Sequence, residues 1–355
     1  MAYTTIDDPS VYFHTQLYTG DAQSSKVITN DANAGDFKPD WLWIKERSST
    51  SSHLLFDSTR GTNKKLTSNS TDSEETFAYL SSYDTDGFTI GTSDGAINDT
   101  QTYVAWQWKA NGGTTSSNSD GTITSTVQAN TTAGFSIITY TGNFDTMTIG
   151  HGLSQAPEAL IIKNRESNST SWVIYHKDLN FPTDDLAYFN TNAANQHDPT
   201  FNNTRPSSSV ITNGAYSFNN KNGEGHVCYA FHSVKGYSKF GSYTGNGNAD
   251  GTFVYTGFKP AWVMIHRTDS SGENWQMFDN KRDGFNNGSS SNKMLKANVS
   301  ETEDSNSTGF LDLLSNGFKI RESAARHNAS GGTYIYMAFA EHPFVSSKGV
   351  PVTAR

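Results

Sequence analysis

Apolar residues in this chain fall in runs of four to eight, rich in β-branched and aromatic types and ended by Gly, Asn, Asp or Ser. That punctuation predicts strands joined by turns. No stretch holds a 3.6-residue period over three turns, so an all-β protein is expected. The run Trp41-Leu42-Trp43-Ile44 is apolar at successive positions, which predicts a strand covered on both faces. "TYVAWQWK" alternates, with Tyr103, Ala105 and Gln107 on one face and Val104, Trp106 and Trp108 on the other. One of its faces is expected in a core and the other partly wet.

One phrase occurs three times: "GDFKPDWLWIKERSS" at 35–49, "SQAPEALIIKNRESN" at 154–168 and "TGFKPAWVMIHRTDS" at 256–270. Each sits in a longer unit. A strand ending Tyr-Thr-Gly (Tyr18, Tyr140, Tyr243) opens the unit, and the phrase with its Pro follows. Next come "LLFDSTRG", "WVIYHKDLN" or "WQMFDNKRDG", then a Gly-aromatic strand and a long final strand. The prolines are spaced by 118 and 103 residues, a period that fits tandem domains of about a hundred residues, each with its own core. The fold expected is three tandem antiparallel β-sandwich domains, of jelly-roll or concanavalin-like type.

The expected boundaries are 1–110 for the first unit with an N-terminal anchoring segment over 1–20, 133–236 for the second and 237–345 for the third. Residues 111–132, rich in Gly, Ser, Thr and Asn, read as a looser linker in which "TITSTVQ" adds a strand. Residues 346–355 read as an exposed arm. The repeated core is assigned to Pro39, Trp41, Trp43, Ile44 and Trp106, to Pro157, Ile161 and Trp172, and to Pro260, Trp262, Ile265 and Trp275. Each Pro presets an extended backbone for the apolar run after it. Lys45, Lys163 and His266 are expected where that run emerges into solvent. Arg47 and Arg165 stand eight residues past their Pro and Arg267 seven; a sheet-end arginine paired with a loop carboxylate is the simplest role, and a shared ligand contact the alternative.

Composition narrows the function. The chain has 355 residues, 34% hydrophobic and 12% aromatic, with a net charge of -9 and no basic run longer than Lys64-Lys65. Neutralising phosphates is therefore not its task, and nucleic acid is not an expected partner. The single cysteine, Cys228, precludes an internal disulfide framework. The polar, acidic start "MAYTTIDDPS" reads as lacking a Sec-type address, and no run approaches 18 apolar residues, so synthesis in a cytosol without membrane crossing is expected.

Candidate chemistry is sparse. Paired carboxylates suited to glycoside cleavage occur as Asp184-Asp185, Glu74-Glu75 and the trio Glu301, Glu303 and Asp304, but all lie in polar loop sequence and none recurs. No Gly-x-Ser-x-Gly elbow is present. His226 and Cys228 share a strand face with His232 beyond, without further ligands at metal spacing. "NGNADG" (Asn246, Asn248, Asp250) and "SSNSDG" (Ser116, Asn118, Asp120) place oxygens at every second position, as calcium loops do, yet lack the closing Glu and read better as turns. No catalytic residue, cofactor or metal is assigned.

The opening "MAYTTIDDPSVYFHTQLYTG", the phrase "FKPDWLWIKERSSTSSHLLFDSTRG", the closing "YVAWQWKANGG" and the start "FSIITYTG...IGHGL...P..LIIKNR...WVIYH" together resemble the repeat-built proteins of tailed phages of marine bacteria, cyanophages and pelagiphages among them. The third unit diverges, with "MIHR" in place of a Lys-Asn-Arg ending. The resemblance implies a non-enzymatic structural protein on the virion surface, a capsid decoration or tail accessory with lectin-like sandwiches. Its implied partners are other phage capsid or tail proteins and further copies of itself. A tail lectin binding a host glycan is the alternative, and a polysaccharide depolymerase a third reading.

Overall fold

The computed structural model describes residues 3–31, 36–180, 185–282, 292–306 and 309–352. The chain is all-β, built of antiparallel sheets, with only single-turn helices among the described residues. The first repeat holds β1 (Phe13–Thr19), β2 (Lys26–Thr29), β3 (Trp41–Glu46), β4 (Leu54–Asp57), β5 (Lys64–Lys65), β6 (Glu75–Thr76), β7 (Leu80–Asp84), β8 (Gly87–Ile90) and β9 (Thr102–Trp108). From the second come β10 (Ser116–Asn118), β11 (Ser125–Asn130), β12 (Phe135–Thr141), β13 (Met147–Gly150), β14 (Ala159–Asn164), β15 (Val173–His176), β16 (Asp185–Tyr188), β17 (Gln196–His197), β18 (Val210–Asn213) and β19 (Gly225–Phe231). The third supplies β20 (Ser238–Thr244), β21 (Phe253–Tyr255), β22 (Phe258–Arg267), β23 (Gln276–Asp279), β24 (Asn292–Lys296), β25 (Asp304–Asn306), β26 (Leu311–Leu314), β27 (Gly317–Ile320) and β28 (Thr333–Pro343).

The same four-strand order recurs in the three large sheets: β1-β9-β3-β4, β12-β19-β14-β15 and β20-β28-β22-β23. In each, the opening Tyr-Thr-Gly strand pairs with the long closing strand, which pairs in turn with the strand of the repeated phrase. Smaller sheets β2-β8-β7, β13-β18 and β21-β27-β26 lie across from them.

Alternation along the phrase strands supplies two kinds of core at once. Leu42 and Ile44, Leu160 and Ile162, and Val263 and Ile265 point to the local cores between large and small sheets. Trp41 and Trp43, Ala159 and Ile161, and Trp262 and Met264 point the other way, into one core common to all three repeats. Trp41 stacks on Tyr229 at 4.5 Å, Phe13 on Phe339 at 5.3 Å, and Trp108 meets Trp262 edge-on at 5.7 Å. The large sheets thus turn their backs to one another around an aromatic centre. Such a centre accounts for the continuous apolar runs: a strand between two cores has no wet face.

Several expectations change accordingly. Strand β9 has no partly wet face, because Gln107 is fully buried and donates to Asn30 Oδ1 at 2.6 Å while Tyr103 and Ala105 line the local core. Residues 111–132 are not a slack linker: β10 and β11 extend the second large sheet, and the buried Gln128 accepts from Gly113 N and donates to Ser58 and Thr59. The connection between the first and second repeats is therefore itself part of a sheet. Residues 3–20 are themselves fastened to the rest of the chain. Ile6 and Phe13 lie in the common core, Tyr3 Oη donates to Gly257 O, and Asp7 accepts from Ser347 N. The C-terminal stretch folds back through a bridge between Val345 and Pro351, with residues 348–352 exposed; residues 353–355 lie outside the described residues. Pro39 and Pro157 are buried just before their strands, whereas the buried Pro260 lies inside β22 at a break in register.

Candidate functional site: the seams between repeats

Each Tyr-Thr-Gly ends in a fixed corner. The hydroxyls of Tyr18, Tyr140 and Tyr243 donate to the carbonyls of Ile97, Asn219 and His327 at 2.7–2.8 Å. Buried Asn98, Asn220 and Asn328 each accept, through Oδ1, the backbone N–H one residue past the Gly (Asp21, Asn143, Asn246). The Gly is required by close approach: a Cβ on Gly20, Gly142 or Gly245 would come within 1.7, 2.4 or 2.3 Å of a backbone oxygen.

The other repeated polar positions lie at the seams. After its fourth strand each repeat sends an excursion onto the end of the phrase strand of the next, in the order first to second, second to third, third to first. Glu74 of the first repeat receives two hydrogen bonds from Arg165 at 2.8 and 2.9 Å and gives its N–H to Arg165 O. Glu303 of the third does the same for Arg47, at 2.8 and 3.0 Å. Between second and third the excursion makes no ion pair among the described residues: Asn195 N bonds Thr268 O, Gly272 N bonds Asn192 O and Ala194 N bonds Ser271 Oγ, while Arg267 pairs with its neighbour Asp269. All three are therefore sheet-end arginines paired with a loop carboxylate, Arg47 and Arg165 across a seam and Arg267, one residue out of step, within its own repeat.

Three aligned rings close the same seams. His53 Nε2 lies 3.0 Å from Lys296 O, Trp172 Nε1 donates to Thr67 O at 3.0 Å and Trp275 Nε1 to Tyr188 O at 3.1 Å. Their backbone N–H groups all donate, at 2.9 Å, to an Asn side chain of the following hairpin: Asn69, Asn190 and Asn298. A third layer is Tyr229 Oη to Asp57, His176 Nε2 against Tyr336 O, and Trp106 Nε1 to Asp279. Asp57 and Asp279 are held by Arg60 and Arg282, which reach on to Glu74 and Glu303. The spacing Asp-x-x-Arg in "FDSTRG" and "FDNKRDG" is the signal for these buried pairs, which sequence reasoning missed.

Lys45, Lys163 and His266 do not emerge into solvent; all three are fully buried. Lys45 donates to the carbonyls of Glu46 and Ser49, Lys163 to those of Thr71, Ser167 and Thr170, and His266 faces Ala193 O. A long cationic side chain here gathers loop carbonyls that would otherwise be buried unpaired. Burial lowers both lysines to about 8, and the histidines His176 and His226 to about 4 and His266 to about 3. At Glu74 burial opposes ionisation, but the hydrogen bonds of Arg165 and the charge of Arg60 outweigh it and bring the carboxyl down to about 2.

The remaining candidates fall as follows. Trp41, Trp43, Trp106, Ile161, Trp172, Trp262 and Trp275 line the common core, and Ile44 and Ile265 their local cores, so no repeated tryptophan forms an exposed platform. Glu75 pairs with Lys65 and Glu301 with Lys296. Asp184 lies outside the described residues. Cys228 is enclosed in a local core, which raises its thiol, and His226 stacks on Tyr140 at 5.1 Å. The two calcium-like loops are Asx turns: Asn246 Oδ1 accepts from Asn248 N, Asn248 Oδ1 from Asp250 N, and Asn118 Oδ1 from Asp120 N. Asp250 pairs with Lys319. Among the described residues, no group of three or more His, Cys, Asp or Glu side chains is placed to hold a metal ion, and no helix is long and apolar enough to cross a membrane.

Open clefts occur where β1 and β20 run along their seams. One of about 540 Å³ is lined by Asp7, His14, Thr15, Asp31 and Lys281. Two others, of about 680 and 340 Å³, adjoin along β20 and share Asp178, Ser242 and Tyr243. Phe253 and Tyr255, 44% and 49% exposed, flank the smaller one.

Residues 8–343 match the model of a domain of unknown function, DUF7483, so the match spans all three repeats. No curated protein and no solved structure matches the chain.

Proposed function

The chain belongs to the DUF7483 family, and we propose that it is a non-enzymatic structural component on the exterior of a tailed-phage particle, a capsid decoration or tail accessory protein. In this reading it comprises three β-sandwich units closed head-to-tail into a ring, whose outer strands and loops meet neighbouring capsid or tail proteins and further copies of itself. The observation that carries the reading is the use made of the repeated polar residues. Arg47, Arg165, Lys163, His266, Trp172 and Trp275 are all engaged in joining one repeat to another or holding its loops. A scaffold needs such rigidity, whereas a reaction centre needs converging groups left available to a substrate.

The test is cryo-electron microscopy of purified particles before and after removal of this chain. External density should disappear while the genome stays packaged. Density inside the shell would overturn the proposal. A glycan-binding tail lectin is favoured as the second reading by Phe253 and Tyr255 alone, since half-exposed aromatics beside Lys239 suit a sugar face. Specific hits on a glycan array that vanish with Tyr255→Ala would select it.

A further inference from the structure

Three equivalent strands, β1, β12 and β20, open the three large sheets, and their outer edges meet three different fates. The edge of β12 is covered by the chain's own β11, in the register Thr126 to Thr139, Gln128 to Ile137 and Asn130 to Phe135. Gln128 then crosses the seam to Ser58 and Thr59, in the turn after the fourth strand of the first repeat. The edge of β1 is capped by its own side chain: Gln16 donates to Leu17 O and accepts Asp31 N.

The edge of β20 carries no added strand among the described residues and is capped by side chains only at its two ends. Tyr237 O and Gly245 N bond inward to Ala340 N and Gly332 O, so the odd-numbered positions face β28 and Phe240, Ser242 and Thr244 turn their backbone outward. Ser238 is closed by the turn with Val234, Phe240 N by Ser233 Oγ and Thr244 O by Thr252 Oγ1. Among the described residues, none bonds the N–H or C=O of Ser242, an exposed residue. Across the seam stand Lys177 and Asp178, in the turn that corresponds to Ser58 and Thr59. The two adjoining clefts run along this edge and are lined on the far side by Lys177 and Asp178.

We infer that the edge of β20 between Phe240 and Thr244 is an acceptor site for one extended segment of a partner polypeptide, added antiparallel as β11 is added to β12. The occupant chemistry follows from the filled seam. There a small apolar side chain, Val127, enters the local core, and the next residue, an amide, reaches the facing turn. A partner segment alternating small apolar and hydrogen-bonding side chains fits, its backbone supplying the bonds that Ser242 lacks. The filled seam is the precedent for a single added segment, and pairing with a second copy through its own β20 is the competing outcome of the test. The site is independent of where on a particle the chain resides.

The test uses the full chain and a synthetic peptide of residues 122–131, TITSTVQANT, as probe, with amide exchange followed residue by residue. Saturating peptide should slow exchange at Ser242 at least tenfold and leave the β12 amides unchanged. Ser242→Pro removes an N–H that β28 does not use and should abolish the accompanying slowing at Thr244, whose N–H faces the same way and remains readable in the variant, at unchanged thermal midpoint. If that variant fails to fold, Ser242→Arg, which fills the cleft from the side chain, replaces it. No slowing up to millimolar peptide overturns the inference, as does equal slowing in the folded variants. Protection of Ser242 by concentration-dependent dimerisation without peptide would assign the edge to a second copy instead.

Discussion

At the residue scale the decisive position is the one held by His53, Trp172 and Trp275, where a ring N–H must reach a carbonyl of the preceding repeat's excursion. Burying an indole removes roughly 150–250 Å² from water, on the order of 4–6 kcal/mol at about 25 cal/mol per Å². That gain exceeds the roughly 1–3 kcal/mol for leaving one N–H unpaired, which is why the fold tolerates Trp262, whose buried Nε1 has no hydrogen-bond partner among the described residues. The two tryptophans therefore predict different responses. Trp172→Phe should destabilise by about 1–3 kcal/mol beyond the change in volume, because Thr67 O loses its donor. Trp262→Phe should show the volume effect alone. Equal losses in chemical denaturation of the two variants would remove the seam bond as an explanation. Sequence displayed these tryptophans as core residues but not which core they enter, since alternation gives the face and not what lies beyond it. It misplaced Lys45 and Lys163 because a lysine after an apolar run reads as a strand leaving the protein, and only the surrounding loop carbonyls make burial tolerable.

Elements show the same division between local and distant information. The strands and their antiparallel pairing within a repeat were legible from run length and turn residues; the excursions were not, because their partners are 91 and 256 residues away. Arg165 with Glu74 and Arg47 with Glu303 are bidentate pairs in which the carboxylate is nearly buried, its side chain 8% exposed in both. Such geometry couples more strongly than an open surface pair. A double-mutant cycle on Arg165→Ala and Glu74→Ala should give a coupling of about 1–3 kcal/mol, and one on Arg267→Ala and Asp269→Ala, an exposed pair within one repeat, less than about 1 kcal/mol. Indistinguishable couplings would mean that the seam pair adds no more than surface charge.

For the whole molecule, the common core and the cyclic seams imply that no repeat is stable without the other two. Each excursion bonds to the neighbouring repeat, and the N-terminal residues are fastened to the third repeat by Tyr3 and to the C-terminal stretch by Asp7. Acid offers a way to load this closure. His176 and His266 lie in one seam and are neutral when folded, since burial lowers them to about 4 and about 3; burial likewise holds His53, in another seam, well below its usual range. In the unfolded chain each takes a proton near pH 6.5. Between pH 6.5 and about 4 the unfolded state thus binds more protons, so stability is intact above pH 6.5 and falls by about 1.4 kcal/mol per pH unit for each such histidine. The pull of Arg165 and Arg60 on Glu74 keeps that carboxylate charged through this window, and its own contribution is lost only below about pH 4.5. Because the protons attack seams shared by neighbouring repeats, tryptophan fluorescence and far-ultraviolet circular dichroism should report one coincident transition. His266→Phe, which keeps a ring against Trp275, should flatten the slope between pH 6.5 and 4.5 by about 1.4 kcal/mol per unit. Separate transitions would show that each repeat stands on its local core, and the ring would then be three neighbours rather than one cooperative body.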